Sequence, residues 1–309
     1  HLDKAAISGA STTAALAGIN NGAVVGSSVN GQVQVTTNPD ITGMADIGGL
    51  VGLNNGVISQ SSSAAEVRVK GDAAASNLSY IGGLAGRNTN LIMDSVSTGA
   101  VTVGLTDGGT VAAVGGLVGL NTGSIDDSTL VNVAPVTGGA VQVTASAPAL
   151  SNFSADIQHV GGVVGQNDLS LTLQTDKNAY RGGAVTVIND KPDGAISNVG
   201  GIVGTNNGIL SDALATVSVT VTGSGVSAVG GGVGLISKGA VTNVHAAGTV
   251  TVQSAGTRFL QNIGGLVGEN DADLRNSSAA GVVKVVLDAG NASNIGGLVG
   301  YNRGTAAGT

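Results

Sequence analysis

The hydrophobic and polar positions of this chain recur in a repeating block. The octet "IGGLVGLN" at residues 47–54 returns as "IGGLAGRN" at 81 and "VGGLVGLN" at 114, and a degraded copy, "TAALAGIN", begins at 13. Further copies begin at residues 160, 199, 229, 263 and 295, so successive starts lie 30 to 46 residues apart. Self-similarity of this kind is the sequence signature of a repeat architecture.

Each repeat unit contains three short candidate strands. These are the octet itself, a segment around an aliphatic residue eleven positions after the start, and a Val-x-Val pair such as Val67-Arg68-Val69. Alternation with period two and β-branched residues predicts strands, whereas the frequent glycines disfavour helix. The 7 to 16 residues between each pair and the next start are rich in Ser, Asn, Asp, Gly and Ala, which predicts a loop.

Three short strands cannot bury their apolar side alone, but stacked copies can pair equivalent strands from coil to coil. The pattern therefore predicts an all-β fold: a single-stranded parallel β-helix, or β-solenoid, of about eight coils. We expect one continuous array over residues 1–309, with coils starting near 13, 47, 81, 114, 160, 199, 229, 263 and 295. A β-propeller also repeats at about 40 residues, but its blades need four strands and usually carry large aromatic residues.

An asparagine follows seven residues after nearly every start. We expect these residues to stack at a corner as a structural ladder, in which amides bond to one another along the axis and to backbone groups at the bend. The members are Asn20, Asn54, Asn88, Asn121, Asn167, Asn206, Asn270 and Asn302, and the exception is Ile236. A serine often lies seven residues further on, as at Ser61 and Ser95, and predicts a second column.

Composition narrows the possible partners. The chain is 42% hydrophobic but only 2% aromatic, so its core must consist of Val, Ile, Leu and Ala. The formal net charge is -7 without a basic patch, which argues against nucleic acid as a partner. No apolar run approaches the roughly 18 residues of a membrane span, so we expect no membrane insertion. There is no cysteine to form disulfides or thiolate metal sites.

The glycine octet does not carry the chemistry of a phosphate loop. A Walker loop requires Gly-Lys-Ser/Thr after its glycines, and a dinucleotide loop requires a following helix. The three histidines are widely spaced and lack a zinc-protease motif. We therefore expect no enzyme activity, no catalytic residue and no cofactor.

Carboxylates supply the alternative chemistry. Asp94, Asp127 and Asp212 share one repeat position, thirteen residues after the start; Asp94 and Asp127 belong to neighbouring coils, and Asp126 adjoins them. Acids stacked in neighbouring coils could form a retaining pair that cleaves polysaccharide, or a calcium site. The simpler interpretation is a solvated acidic edge beside a turn.

Two irregular segments are the candidates for ligand binding. The longest loop between units, 144–159, carries Phe153, and the next coil holds an insertion with Lys177, Tyr180 and Arg181. Aromatic and arginine side chains are enriched at interfaces, so these four residues could recognise a carbohydrate or a receptor. The alternative is that the two loops pack on each other and cover the coil. The residues between the valines do not predict a flat ice-binding array, because Arg68 and Lys284 interrupt it.

The repeat resembles the bacterial GLUG motif, in which Gly-Leu-x-Gly is followed by Asn, Gly, an aliphatic residue and Ser. The resemblance rests on "GGLVGLNNGVISQS" at 48–61, "GGLVGLNTGSIDDS" at 115–128 and "GGLVGENDADLRNS" at 264–277, and the repeat covers nearly the whole chain. The unit at 229 departs from the motif at Gly232 and Ile236. Proteins of this kind include secreted adhesins similar to filamentous haemagglutinin and the non-catalytic parts of immunoglobulin-A metalloproteases. The resemblance implies a right-handed β-helix located outside the bacterial cell.

From pattern and resemblance together we expect a fragment of a larger bacterial protein, secreted or on the cell surface and monomeric within its chain. Its expected role is adhesion: a rod that attaches to host cells, other bacteria or matrix polysaccharide, with consequences for biofilm formation and virulence. The alternatives are a passive stalk without a ligand and a polysaccharide-degrading β-helix enzyme.

Overall fold

The chain is an all-β parallel solenoid of about seven turns, built from four sheets that run along its axis. This computed structural model describes residues 1–9, 11–37, 46–71, 76–106, 108–126, 138–146, 155–173, 183–256, 258–288 and 290–309. Every strand pair within these residues is parallel, as the stacking of equivalent strands requires. The predicted fold class is therefore confirmed.

Two of the sheets line one side of the coil. Sheet A contains the Val-x-Val pairs, and its described strands are Leu2–Gly9, Ser28–Thr37, Ser62–Ser63, Glu66–Gly71, Val96–Ser97, Val101–Leu105, Val141–Ala145, Val185–Asn189, Val219–Gly223, Val250–Ser254 and Val283–Val286. Sheet B contains the first residues of each octet, and its described strands are Asp46–Gly48, Ser76–Gly82, Gly109–Gly115, Ala155–Ile157, Val160–Gly161, Ala195–Gly200, Gly225–Gly230, Phe259–Gly264 and Asn291–Gly296.

The other two sheets line the opposite side. Sheet C contains the second half of each octet, in strands Ala17–Asn20, Val51–Asn54, Ala85–Asn88, Val118–Asn121, Val164–Asn167, Val203–Asn206, Val233–Ile236, Val267–Asn270 and Val299–Asn302. Sheet D follows the turn after each Asn, and its described strands are Ala23–Val25, Val57–Ser59, Leu91–Met93, Ser124–Asp126, Ser170–Thr172, Ile209–Ala215, Ala240–Ala246, Asp273–Arg275, Ser278–Ala279 and Thr305–Ala307.

The octet forms two strands rather than the single predicted one. In "IGGLVGLN" the chain bends at Gly49 and Leu50, so Ile47 belongs to sheet B and Val51 to sheet C. At this corner the carbonyl oxygen of Leu84 accepts hydrogen bonds from the amides of both Leu50 and Val51, at 2.9 and 3.0 Å. A single carbonyl oxygen thus accepts hydrogen bonds from two amides of the preceding coil, so the backbone amides remain hydrogen-bonded through the bend.

The register is continuous despite units of unequal length. The start residues pair from coil to coil, as in Ile47 with Ile81 and Ile81 with Val114. Val141 pairs with both Val101 and Val185, although the unit between the starts at 114 and 160 is the longest. The described strands of this unit therefore keep the same pairing as those of its neighbours.

The sequence predicts about eight coils, and the structure has about seven turns. The difference arises at the two ends of the array. In the first unit Thr13 forms only an isolated bridge to Ile47 where later units have a strand of sheet B. The last unit reaches sheet D at Thr305–Ala307 and contains no Val-x-Val pair after it.

The interior contains two parallel hydrophobic cores instead of one. Valines such as Val67 and Val69 pack with the start residues to form one core between sheets A and B. Residues such as Leu50, Val51 and Ile58 form the other core between sheets C and D. All five side chains are at most 3% exposed.

A waist of small residues separates the two cores. A methyl group on Gly83 would lie 2.2 Å from the carbonyl oxygen of Gly116 and 2.2 Å from Oγ of Ser97 across the coil. Gly265 faces Ala279 in the same way, with a contact of 3.0 Å. The Gly-Gly step is therefore required because two opposite walls of the coil approach each other there.

Asparagine side chains form a hydrogen-bonded ladder along the corner between sheets C and D. Each Nδ2 donates to Oδ1 of the next Asn, at 2.7 Å from Asn20 to Asn54 and 2.8 Å in the following steps to Asn88, Asn121, Asn167 and Asn206. The same Nδ2 also donates to a backbone oxygen of the next coil, as from Asn121 to Ser170 at 3.2 Å. The ladder therefore joins successive coils and satisfies backbone groups at the bend.

The unit beginning at 229 interrupts this ladder but not the backbone pairing. Ile236 pairs with both Asn206 and Asn270 and is fully buried in the core between sheets C and D. Nδ2 of Asn206 donates instead to the carbonyl oxygen of Gly208 in its own coil, at 2.9 Å. The ladder resumes with a 2.7 Å bond from Asn270 to Asn302.

Candidate functional site

The four residues predicted to bind a ligand, Phe153, Lys177, Tyr180 and Arg181, lie outside the described residues, as does Asp127. Their role therefore stays a prediction. Of the calcium candidates, the structure describes Asp94 and Asp126. Within the described ranges no group of three or more His, Cys, Asp or Glu residues is placed to hold a metal ion.

Asp94 occupies a backbone position that itself favours aspartate. The residue thirteen positions after the start has a positive φ in several units: 57° at Gly26, 50° at Gln60, 48° at Asp94, 59° at Asp212 and 50° at Asn276. Left-handed backbone is tolerated best by Gly, Asn and Asp, so a recurring acid here has a conformational cause. The Asp94 side chain is 5% exposed, and its amide donates to the carbonyl oxygen of Asp126 at 3.2 Å.

An outer notch lies at the corner between sheets B and C, on the outside of the coil next to the glycine waist. It is defined by the residue before each start and the residue before each ladder Asn. Arg87 Nη2 lies 2.7 Å from Oδ2 of Asp46 and stacks over the ring of Tyr80, 5.4 Å from its centroid. Asp46 is 3% exposed, and burial raises its pKa even though the hydrogen bond and charge of Arg87 lower it.

The same notch contains His159. Its Nδ1 lies 2.7 Å from Oγ1 of Thr205 and 3.2 Å from Nδ2 of Asn198 in the next coil. Burial lowers the pKa of His159, and the charge of Asp168 offsets part of that change. These side chains of the notch thus bind one another across coils.

The outer face of sheet A is different, because its polar side chains form regular rows open to solvent. One row consists of the residues between the paired valines: Gln34, Arg68, Thr102, Gln142, Thr186, Thr220, Thr251 and Lys284. A second row lies two residues further along each strand: Thr36, Lys70, Gly104, Thr144, Ile188, Thr222, Gln253 and Val286. The charged members of both rows lie toward the ends and not in the middle.

A depression of about 510 Å³ opens in this face around Gly104. Its rim is lined by Gln34, Glu66, Arg68, Lys70, Thr102 and Gln142. A methyl group on Gly104 would meet no atom within 4 Å, so the absence of a side chain there leaves open space. The rim combines two cationic side chains with one carboxylate, amides and a hydroxyl, which are groups that bind polar ligands.

Three side chains at one edge of the depression form a chain of hydrogen bonds. Nε2 of Gln32 donates to Oε2 of Glu66 at 3.3 Å, and Oε1 of Glu66 accepts from Nε of Arg68 at 2.8 Å. The Arg68 side chain is 55% exposed, and within the described part of the chain no other side chain pairs with its guanidinium. Glu66 therefore orients Arg68 while its two terminal nitrogens face solvent or a ligand.

This depression was not predicted from the sequence. It depends on Gly104, which follows the Val101-Val103 pair by one residue and looks like any other glycine in a chain that contains 53 of them. The usable signal was the strand Glu66-Val-Arg68-Val-Lys70, the one Val-x-Val pair flanked and separated by charged residues.

Comparison of the chain with protein-family models, with curated proteins and with solved structures gives no significant match. The case for function therefore rests on the architecture and on the outer face of sheet A. Over the residues that the structure describes, no helix combines the length and apolarity needed to cross a membrane.

Proposed function

We propose that this chain is the structural and adhesive rod of an extracellular bacterial adhesin, which attaches to host cells, other bacteria or matrix polysaccharide. The observation that carries the proposal is that the strands of sheet A bury apolar side chains on one face and expose polar side chains on the other. Val67 and Val69 face the core and are at most 3% exposed, whereas Arg68 between them is exposed and lines a polar depression.

The interior supports the rod role. Parallel pairing and two continuous cores connect the described coils, and the Asn ladder adds bonds between coils except at Ile236. Deforming such a rod requires breaking backbone hydrogen bonds and ladder bonds together, so the array can bear a load along its axis.

The exterior supports the adhesive role. The first of these rows presents a Gln, Arg, Thr or Lys side chain at each coil, about 4.8 Å apart, the spacing of paired strands. Individual contacts of this kind are weak, but a ligand that repeats along the rod can engage several at once and gain avidity.

A non-catalytic role fits the acid candidates that the structure describes. Asp94 is 5% exposed at a left-handed corner, so its carboxylate offers little surface to a substrate. Asp126, which precedes Asp127 in sequence, is half-buried on sheet D, whereas the polar depression lies on sheet A.

The proposal is tested by immobilising the chain on beads and measuring their retention on host cells, bacterial cells and matrix polysaccharides. Beads carrying an unrelated protein of equal net charge are the control. Retention that free chain competes away supports adhesion. Retention no greater than that of the control beads contradicts it and favours the passive stalk. Release of reducing sugar ends in the same samples would instead favour the polysaccharide-degrading enzyme.

A further inference from the structure

We propose that the depression around Gly104 binds the carboxylate groups of a linear polysaccharide that contains uronic acids. The inference rests on the proposed adhesive function and adds to it the location of the binding site and the chemical class of the ligand. The polymer would lie along the rod axis, over the two outward rows of sheet A.

Arg68 is the anchor for a carboxylate. Glu66 holds its Nε at 2.8 Å, and Gln32 in turn holds Glu66, so the guanidinium is oriented before a ligand arrives. The terminal nitrogens form a planar fork whose geometry matches both oxygens of a carboxylate. Because its orientation is already fixed, less conformational entropy is lost on binding.

Lys70 supplies a second positive charge on the same strand and the same face. It lies two residues beyond Arg68, in the row that also contains Gly104, with which it pairs directly. The rim thus combines two cationic side chains with one carboxylate, and Arg68 is the cation whose orientation the structure explains.

The shape of the face suits a chain-like ligand. Gly104 leaves space for a sugar ring, and Thr102 and Gln142 then present a hydroxyl and an amide in successive coils. Thr186, Thr220 and Thr251 continue the row without a charge. A coil rises about 4.8 Å, close to the length of one sugar residue in an extended polysaccharide, so successive sugars can meet successive coils.

An acidic peptide fits this surface less well. Strand addition requires a free sheet edge, whereas each strand at the depression already pairs on both sides, as Val101–Leu105 does with Glu66–Gly71 and Val141–Ala145. Peptide interfaces also depend on buried apolar or aromatic anchors, and the rim presents polar groups instead.

The test is the affinity of the intact chain for polygalacturonate, with neutral dextran and polyglutamate as comparison polymers. We expect Arg68→Ala to weaken polygalacturonate binding about tenfold or more, as loss of a charge-assisted pair of hydrogen bonds implies. Arg68→Lys keeps the charge but not the fork and should fall between. Gly104→Thr fills the depression in space that is empty in the folded chain and should also abolish binding.

Lys284→Ala is the matched control, since it removes one positive charge from the same row at the other end of the described rod. Its effect should be less than twofold, and the unfolding temperatures of all variants should show that they fold. Equal binding by Gly104→Thr and wild type, or equal binding of polyglutamate and polygalacturonate, would overturn the inference. If the chain adheres to surfaces but binds only dextran, this inference fails while the adhesive function stands.

Discussion

Gly49 and Ser63 face each other across the interior of one coil, so closely that a methyl group on Gly49 would lie 2.2 Å from Oγ of Ser63. The same methyl group would lie 2.2 Å from the carbonyl oxygen of Gly83 in the next coil. This contact divides the interior into two cores, and it explains why the octet contains two successive glycines. The second glycine is selected by the opposite wall, whereas a bend alone would explain only one.

Replacing a waist glycine should destabilise the rod. Gly83→Ala places a methyl group 2.2 Å from both Gly116 O and Ser97 Oγ, so the walls must separate. Overpacking of this kind costs about 1–3 kcal/mol. Gly104→Ala is the control, because no atom lies within 4 Å of the added methyl group. Urea unfolding should give a lower midpoint for Gly83→Ala and not for Gly104→Ala; equal midpoints would refute the waist.

The Asn ladder should be more sensitive in its middle than at its end. Asn121→Ala removes the acceptor of Asn88 and the donor to Asn167, leaving two buried amide groups without those partners. Each such group costs about 1–3 kcal/mol. Asn302→Ala removes the acceptor of Asn270 in the last rung and an exposed hydrogen bond to the carbonyl oxygen of Gly304. The free energy of unfolding from urea titrations should therefore fall further for Asn121→Ala, and the reverse order would contradict the ladder.

Asp46→Asn should change the pH dependence of stability. Burial raises the pKa of Asp46 above its ordinary value of 3.8, so between these values the folded state binds more protons than the unfolded state. The stabilisation that this group contributes is therefore fully present below its ordinary pKa. It is lost as the pH rises through the raised pKa of the folded state. We expect the stability of Asp46→Asn relative to wild type to increase with pH over that window and then level off. A decrease over the same window would show that Arg87 outweighs burial.

A residue that tolerates positive φ should increase the stability of the chain at the left-handed corner. Gln60 is exposed and has φ 50°, at a position where other units have Gly26 or Asn276. Asn adopts this conformation more readily than Gln, so Gln60→Asn should stabilise the chain by about 0.5 kcal/mol. Gln34→Asn, in extended strand on sheet A, is the control and should bring no gain. Thermal unfolding distinguishes the two, and a loss of stability in Gln60→Asn would contradict the corner.

Much of this fold follows from the sequence because every coil imposes the same constraints. The spacing of Asn54, Asn88 and Asn121 predicts their stacking, and the structure pairs these residues in register. The parallel pairing of Val67, Val101 and Val141 follows from the same periodicity. Units of unequal length keep this pairing in the described strands.

Sheet B was the part that the sequence analysis interpreted wrongly. Its strands extend into the segment predicted as a loop, with buried residues such as Leu78, Val111 and Ile196 three positions before each start. The aliphatic column at that position was the available signal. Polar and small residues on either side obscured this column in the sequence, because the outer face of sheet B is open to the notch or to solvent.

The first strand and the binding surface were also not foreseen. Leu2–Gly9 pairs with Ser28–Thr37, but it lacks the Val-x-Val pattern, so the repeat did not predict it as a strand. The depression at Gly104 arises from residues of four neighbouring coils. Such a site depends on register between coils, which the sequence of a single unit does not specify.

We propose that adhesion and stability depend on opposite faces of the same strands. The most direct measurement is retention under flow on polygalacturonate-coated surfaces of beads carrying either the wild-type chain or the double variant Arg68→Ala/Gly104→Thr, at a temperature where circular dichroism shows both folded. We predict that wild-type beads are retained, that the double variant is washed away, and that the two unfold at the same temperature. Equal retention of the two chains would contradict the assignment of adhesion to the outer face of sheet A.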